Sequence, residues 1–596
     1  MKNIIKIIAL ASLLTGCDDL FEPAIENNLG LEYMYENADY ADGVLGNAYT
    51  RIPSDSYSFN DVATDDAVIN DVTNGYRKMA SGTWRADNNP TERWQNCRAA
   101  IQYLNLFLAN ADKVHWANDE LVSGMFNDRE KGEAYALRAM YMYYLLQAHG
   151  GWSADGRLLG IPIITEPEDA NSDFNVPRAS FDDCMKAIYD DIEKALSLLP
   201  TDYANINSDA EVPSKYKNEG VTRVQYNRVF GKTFIGRISG RIAEAIRSQA
   251  ALLAASPAFA EGTSTSWEDA ANYAATVLDR INGVSGLDAT GGTWYCNTND
   301  IQNIVTAGES PAEILWRGTK SSSNSLEADS YPPSIYGKGR INPTQNLVDA
   351  FPMANGYPVS EAEADFDKSN PYANRDPRLG QYILYDGATA GVNNDVIHTA
   401  SDYTANDNSQ KDALNNEEGY STRTGYYMRK LLRQDINLDP NVNSEQEHYQ
   451  ARIRYTEIFL NYAEAANEAF GPTGRGTHSY SAYDVIKAIR NRAGIGTDNG
   501  DAYLESIKND KEKMRELIRN ERRLELCFEG FRFWDLRRWK ADLTEKAYGV
   551  SITGSSSKTY EQIEVDNRNY KDYMYYGPVP YSEVLKFDAL EQNKGW

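Results

Sequence analysis

Hydrophobic residues at helical spacing recur along most of the chain. In residues 181–199, Phe181, Cys184, Ile188, Ile192, Leu196 and Leu199 fall at three- and four-residue steps, and Pro200 closes the run because it cannot continue a helix. Residues 454–469 repeat the pattern with Tyr455, Ile458, Phe459, Tyr462, Ala466 and Ala469. Similar stretches span 91–111, 129–148, 239–256, 267–281, 481–492 and 509–530. The spacing predicts an all-α scaffold. Its helices come in twos: Ala243 to Ala255 precedes Trp267 to Leu278, and Tyr455 to Ala469 precedes Tyr483 to Arg492. Small residues stand where two helices would cross closely. An alanine-rich helix, a short turn and a second helix is the tetratricopeptide-like plan, here at irregular intervals.

Long polar stretches rich in Gly, Asn, Ser and Pro interrupt the pairs at about 50–90, 200–235, 283–345 and 352–450. Loops of this length in a compact protein carry function or are ordered by a partner. No linker separates them from the helices, so residues 17–596 read as a single domain, a helical scaffold overlaid with loops. The net charge of −26 argues against nucleic acid, which rewards clustered Lys and Arg, and favours a neutral over an anionic polymer. Forty tyrosines and ten tryptophans supply flat apolar faces with polar edges, suited to helix packing and to stacking on sugar rings.

The first residues read as an address. Lys2 and Lys6 precede a short apolar run, Ile7 to Leu14, and then Leu14-Thr15-Gly16-Cys17. The run is too short for a permanent span, so residues 1–16 read as a cleaved lipoprotein signal peptide. Cys17 is then the lipidation site, and several acyl chains make a stable anchor without a transmembrane helix. Asp18-Asp19 resemble the acidic export tag of Bacteroidetes surface lipoproteins.

Catalytic and metal signatures are sparse. Gly231-Lys232-Thr233 lacks the earlier glycine of a phosphate loop, where Tyr226 stands, and there is no GxSxG elbow. The five histidines show no HExxH, and Cys97, Cys184, Cys296 and Cys527 form no CxxC pair, so neither a zinc site nor a disulfide framework is expected. Asp402, Asn406, Asp407, Asn408 and Asp412 could hold a structural calcium, but they lack the glycine and terminal glutamate of an EF-hand loop. A solvated loop is the simpler expectation, and no cofactor is expected. Glu521 and Glu525, one helical turn apart, resemble a glycosidase carboxylate pair. Among Arg519, Arg522, Arg523 and Glu529 they fit better as an ion-pair network, with Phe533, Trp534 and Trp539 as packing.

The last third of the chain carries the most specific pattern. Residues 518–539 read IRNERRLELCFEGFRFWDLRRW, and the chain ends GPVPYSEVLKFDALEQNKGW. NPTQNLVDAFPMANG at 342–356, NPYANRDPRL at 370–379, YTEIFLNYAEAANEA at 455–469 and IRNRAGI at 489–495 lie upstream. EAYALRAMYMYYLLQAHGG at 133–151 and GIPIITEP at 160–167 stand near the front. Together these segments resemble the SusD/RagB family of outer-membrane nutrient-binding lipoproteins. The resemblance implies tetratricopeptide-like helix pairs with a loop-rich irregular portion. It also implies a non-catalytic surface lipoprotein that binds an oligosaccharide or polysaccharide. The sugar would be delivered to a SusC-like TonB-dependent outer-membrane barrel. The RagB branch implies a peptide as the alternative ligand, while a surface glycoside hydrolase and a ligand-free scaffold are rivals from other classes.

Candidate ligand residues come from two loop segments. In 61–89, Trp84 lies among polar residues in SGTWRADNN, accompanied by Asp65, Asp66 and Arg85. In 291–300, GGTWYCNTND, Trp294, Tyr295 and Cys296 follow a diglycine that lets backbone approach a ligand. The resemblance implies that these two regions lie near the binding face. Asp42 is a further candidate, and Tyr331 and Tyr336 in a Pro- and Gly-rich loop are weaker ones.

Overall fold

The computed structural model describes residues 30, 32–53, 59–555 and 557–596. The signal segment and Cys17 lie outside them. No helix among the described residues is long and apolar enough to cross a membrane.

The scaffold is helical, and local signals set its elements. Helix α1 (Ala38–Tyr49) starts where the Asn37 side chain accepts from Tyr40 N, and α2 is Trp94–Asn110. Helix α3 (Glu120–His149) is capped by Asp119, and α4 (Phe181–Leu198) by Ser180. Helix α5 (Gly240–Ala255) begins at Ser239. Helices α6 (Trp267–Asp279) and α8 (Ala482–Arg492) open with capping boxes, Ser266 with Asp269 and Ser481 with Asp484. Helix α7 (Tyr455–Phe470) stops at Gly471, whose φ of 81° only glycine adopts readily. Helix α9 is Lys511–Glu525 and α10 is Arg532–Arg538.

The two expected pairs form, α5 on α6 and α7 on α8; α1 also packs on α2 and α3 on α4, while α4 meets α5 and α6 meets α7 to join successive pairs. Alanines make the approach close. Ala243, Ala250, Ala274, Ala463 and Ala466 have no exposed surface. At Gly132 of α3, a Cβ would fall 2.7 Å from Leu199 Cγ, so the backbone of α3 rests on the end of α4.

Two boundaries differ from the periodic reading. Helix α3 begins at Glu120, nine residues before the run from 129, because Asp119 caps a polar first turn that carries little periodicity. Helix α9 ends at Glu525 rather than 530, and the chain then turns through Phe528 (φ 62°) and Gly530 (φ 83°). The stretch 200–235 also contains the short helices Ser214–Lys217 and Arg223–Phe230.

The loop-rich portion has its own apolar core, built around Trp294, Tyr331, Phe351, Tyr382, Tyr426 and Tyr427. Seven two-stranded antiparallel sheets run through the described residues, none of which the periodicity suggested. Ala67–Ile69 pairs with Ile341–Pro343, and Ala547–Thr553 with Thr559–Asp566. The tyrosine richness has a structural use here. Tyr382 Oη donates to Gly292 O at 3.0 Å, Tyr427 Oη to Asp412 O at 3.0 Å and Tyr449 Oη to Trp294 O at 3.1 Å. Each fills the core with its ring and satisfies a loop carbonyl that no regular element satisfies.

The loop-rich portion is tied to the scaffold by buried ion pairs. Glu521 and Glu525 both receive Arg378 Nη1, at 2.5 and 2.8 Å. Arg492 reaches Glu525 at 2.8 Å, and Arg454 joins Glu313 and Glu529, each at 2.8 Å. These acids are the expected ion-pair network. Phe533 and Trp539 are buried packing, while Trp534 is half-buried.

Candidate functional site

The aromatic residues singled out in the two loop segments are packed inside. Trp84 is 3 % exposed: its ring lies 4.8 Å from that of Trp596 and 6.0 Å from Phe533, with Arg537 over its face, and its Nε1 donates to Asn89 Oδ1 at 2.9 Å. Trp294 and Tyr295 are 2 % and 6 % exposed and pack on each other, with Tyr449 against Trp294. None of the three offers a face to a sugar ring. The flanking polar residues that mark Trp84 as a loop residue serve instead to satisfy its indole N–H. Tyr331 is also buried, its hydroxyl donating to Arg433 O.

The predicted acids are likewise committed. Asp65 is bound by Arg532 at 2.7 Å and Arg523 at 2.9 Å, and Asp66 by Arg523 at 2.6 Å. Burial alone would raise Asp65, but the two guanidiniums outweigh it and hold the carboxyl well below the usual range. Burial leaves Asp66 above its ordinary value despite Arg523. Asp42 pairs with Arg237 at 2.5 Å on the helical side, away from the loop segments. Arg85 is exposed and bonded to Asp87, and Cys296 is half-buried with its thiol turned to Thr293 O. The eight residues are not gathered into one site.

Among the described residues, no group of three His, Cys, Asp or Glu is placed to hold a metal. Asp402 accepts from Gly554 N and Asp407 from Ser409 N. Asp412, expected in a solvated loop, is fully buried and accepts from Ser334 N at 2.8 Å, with burial pushing its carboxyl up to about 7.

Five aromatic residues among the described ones are exposed, Tyr33, Phe174, Tyr336, Tyr420 and Tyr581, and two of them, Tyr336 and Tyr420 at 48 % and 44 %, lie on the loop-rich portion. Tyr336 ends the turn Pro332-Pro333-Ser334-Ile335 in the left-handed region at φ 68°, a conformation that costs a non-glycine residue about 1 kcal/mol or more. The turn is fixed by Tyr336 N to Pro333 O, by Gly337 N to Pro332 O and by the Asp412 carboxylate on Ser334 N. Its ring is thereby held outward.

Three loops converge beside these rings. A Cβ at Gly339 would run into the carbonyl oxygen of Tyr420, so the 331–340 and 417–421 loops touch there. Asn70, 3 % exposed, donates from Nδ2 to Lys338 O and Gly339 O, both at 2.9 Å. Arg340 Nη1 reaches Asn70 Oδ1 at 3.3 Å and Gly419 O at 3.1 Å, next to Tyr420. Arg77 Nη1 donates to Ile69 O at 3.2 Å and Asn70 O at 3.3 Å. Arg423 is neutralised by a two-point bond to Asp566 at 2.8 and 2.6 Å. Burial and then the charge of Arg423 lower Arg77 from its ordinary value. Asp71 is turned to Thr73, whose hydroxyl and N–H hold its carboxyl below the usual range.

Sequence reading named Tyr336 only as a weaker candidate and missed Tyr420, Asn70, Arg77 and Arg340. Tyr420 carries the local signature that singled out Trp84, an aromatic ring among polar residues in EEGYSTRTG.

A second aromatic surface is a groove of about 520 Å³ lined by half-buried Trp152, Tyr573 and Tyr575 and by exposed Glu261, Asp572, Lys540 and Lys594. The polar ends of Trp152, Tyr575 and Tyr576 are already spent. Trp152 Nε1 donates to Tyr576 Oη, Tyr576 Oη to Ala258 O and Tyr575 Oη to Ala541 O.

Residues 312–596 match a model described as the SusD family, and residues 28–215 one described as starch-binding associating with outer membrane. A solved SusD-like protein from Bacteroides fragilis NCTC 9343 superposes with a TM-score of 0.69 at 23 % identity, over 94 % of this chain and 98 % of that one. A SusD-like carbohydrate-binding protein of the same strain gives 0.67 at 22 %, over 94 % and 100 %. A laminarin-binding SusD-like protein gives 0.55 at 19 %, over 94 % and 100 %. These likenesses establish the fold. Two SusD-like proteins of Formosa agariphila are 31 % identical over 104 residues and 26 % identical over 288, spanning 17 % and 46 % of this chain. The matches cover 19 % and 46 % of those relatives, so the chain spans less than half the length of each.

Proposed function

We propose that this chain, which belongs to the SusD-like family, captures oligosaccharide or polysaccharide on the Tyr336–Tyr420 face without cleaving it. The sugar then passes to a SusC-like TonB-dependent barrel, with acyl groups on Cys17 holding the chain at the outer membrane. The observation that carries this reading is the exposure of Tyr336 and Tyr420 on two loops that meet at Gly339, with the Arg340 guanidinium and Asn70 amide bonded to the backbone next to them. Ring faces stack on the apolar sides of a sugar, and planar donors and acceptors bond its hydroxyls. A shallow face of this kind gives modest affinity, suited to transfer rather than retention.

The family description of starch binding at the outer membrane supports the assignment, as do the carbohydrate-binding and laminarin-binding proteins of the same fold. A non-catalytic role is supported by the Glu521 and Glu525 carboxylates, which are spent on buried arginines. Tyr336 and Tyr420 are preferred over the Trp152 groove because their rings are more exposed and the planar Arg340 guanidinium bonds the backbone next to Tyr420.

Electrophoresis through gels containing individual polysaccharides, with a parallel reducing-sugar assay, tests the proposal. Retardation by at least one polysaccharide with no new reducing ends is expected. Free migration in every gel, or steady release of product, would contradict it.

A further inference from the structure

The Tyr420 face contains two guanidiniums that the protein leaves half used. Arg77 and Arg340 each donate only through Nη1, both times to loop backbone or to the Asn70 amide. Among the described residues, neither forms an ion pair, and no group accepts from Nε or Nη2 of either. Both residues are half-buried rather than sealed, and neither their Nε nor their Nη2 figures among the buried atoms that lack a partner. In a chain with 86 acidic and 60 basic residues, a partly buried arginine without a carboxylate partner is conspicuous. Arg423 beside them shows the contrast, since Asp566 takes both of its terminal nitrogens.

An Nε–Nη2 edge is the planar two-donor fork that matches a carboxylate, or two oxygens of a sulfate, in a two-point bond. Asn70 bonds both guanidiniums, Arg77 through its carbonyl and Arg340 through its amide oxygen, and Arg340 also reaches the Gly419 carbonyl, one residue before the exposed Tyr420. We propose that Arg77 and Arg340 bind the carboxylate or sulfate of an acidic glycan whose neighbouring ring stacks on Tyr420. This deepens the capture reading above and rests on it. It departs from the neutral sugar that net charge alone suggests, because a local fork decides recognition where a distant excess of acids is screened. Asp71 and Glu418 are the unpaired acids near the site, and both oppose an anionic ligand. Their opposition gives the proposal an independent sign test.

The full chain is titrated against a panel of uncharged, uronate-containing and sulfated oligosaccharides, each also with Arg77→Lys/Arg340→Lys and with Asp71→Asn. Lysine keeps the charge and loses the fork. The expected result is binding confined to acidic members, weakened roughly tenfold or more by the double lysine variant and strengthened by Asp71→Asn. Uronate and sulfated arms distinguish the two sources of negative charge. Binding confined to uncharged members, or acidic binding indifferent to the lysine variant, overturns the proposal while leaving glycan capture intact. Binding of no member overturns both. Unchanged melting temperatures for the variants are the control for folding.

Discussion

Arg378 Nη1 lies 2.8 Å from Glu525 Oε1, although 147 residues separate the two in the chain. The same nitrogen reaches Glu521 at 2.5 Å, and Arg378 and Glu521 are 2 % and 0 % exposed. The contact joins a loop of the irregular portion to helix α9 of the scaffold, so the loops are held by buried charge as well as by their own core. Removing one partner strands the others in low dielectric. Arg378→Ala should lower unfolding free energy by about 3–5 kcal/mol in denaturant titration. A loss under 1 kcal/mol would mean that the network does not hold the two portions together.

Trp84 is a second place where position decides the effect. A ring buried against Trp596, Phe533 and Tyr570 should cost about 3–5 kcal/mol of stability when truncated. Trp84→Ala should therefore lower the urea midpoint markedly. A fully stable variant with reduced sugar affinity would restore the exposed-platform role that its loop sequence suggested.

His149 makes one separable contribution to the pH dependence of stability, opposite in sign to that of buried acids such as Asp412. His149 is wholly buried between Arg93 N, which donates to Nε2 at 3.2 Å, and Pro578 O, 2.7 Å from Nδ1. Burial pushes its pKa down from the ordinary 6.5 to about 4. Above pH 6.5 both folded and unfolded chains carry it neutral; between 6.5 and 4 only the unfolded chain takes up the proton. Stability from this group is thus present above pH 6.5 and lost as the pH falls towards 4. The loss is on the order of 3 kcal/mol. His149→Gln should flatten that slope in unfolding measured across the interval. Parallel curves for the two proteins would refute the assignment.

Sequence legibility divides along physical lines. Helices such as α4 and α7 were readable because one face is apolar at a fixed period and their ends carry Ser180, Pro200 or Gly471. The early start of α3 was not, because its first turns are polar and its cap looks like any aspartate. The paired strands near Ala67 and Ile341 are too short to show alternation, and their pairing joins segments far apart in sequence.

At the site the limits were sharper. Polar neighbours identify an aromatic residue as lying in a loop, but a loop can turn its ring inward, as at Trp84, or outward, as at Tyr420. Sequence alone does not distinguish the two. Likewise Asp65 and Asp66 read as accessible loop acids until Arg523 and Arg532, more than 450 positions later, close over them.

The central claim is that sugar is held by the outward rings of Tyr336 and Tyr420. Calorimetric titration of Tyr336→Ala/Tyr420→Ala with the polysaccharide that retards the unaltered protein tests it most directly. The account predicts affinity lowered at least tenfold, with unfolding unchanged within about 1 kcal/mol because neither ring is buried. Undiminished affinity in a folded double variant would contradict it and move the sugar elsewhere, with the Trp152 groove next to be tried.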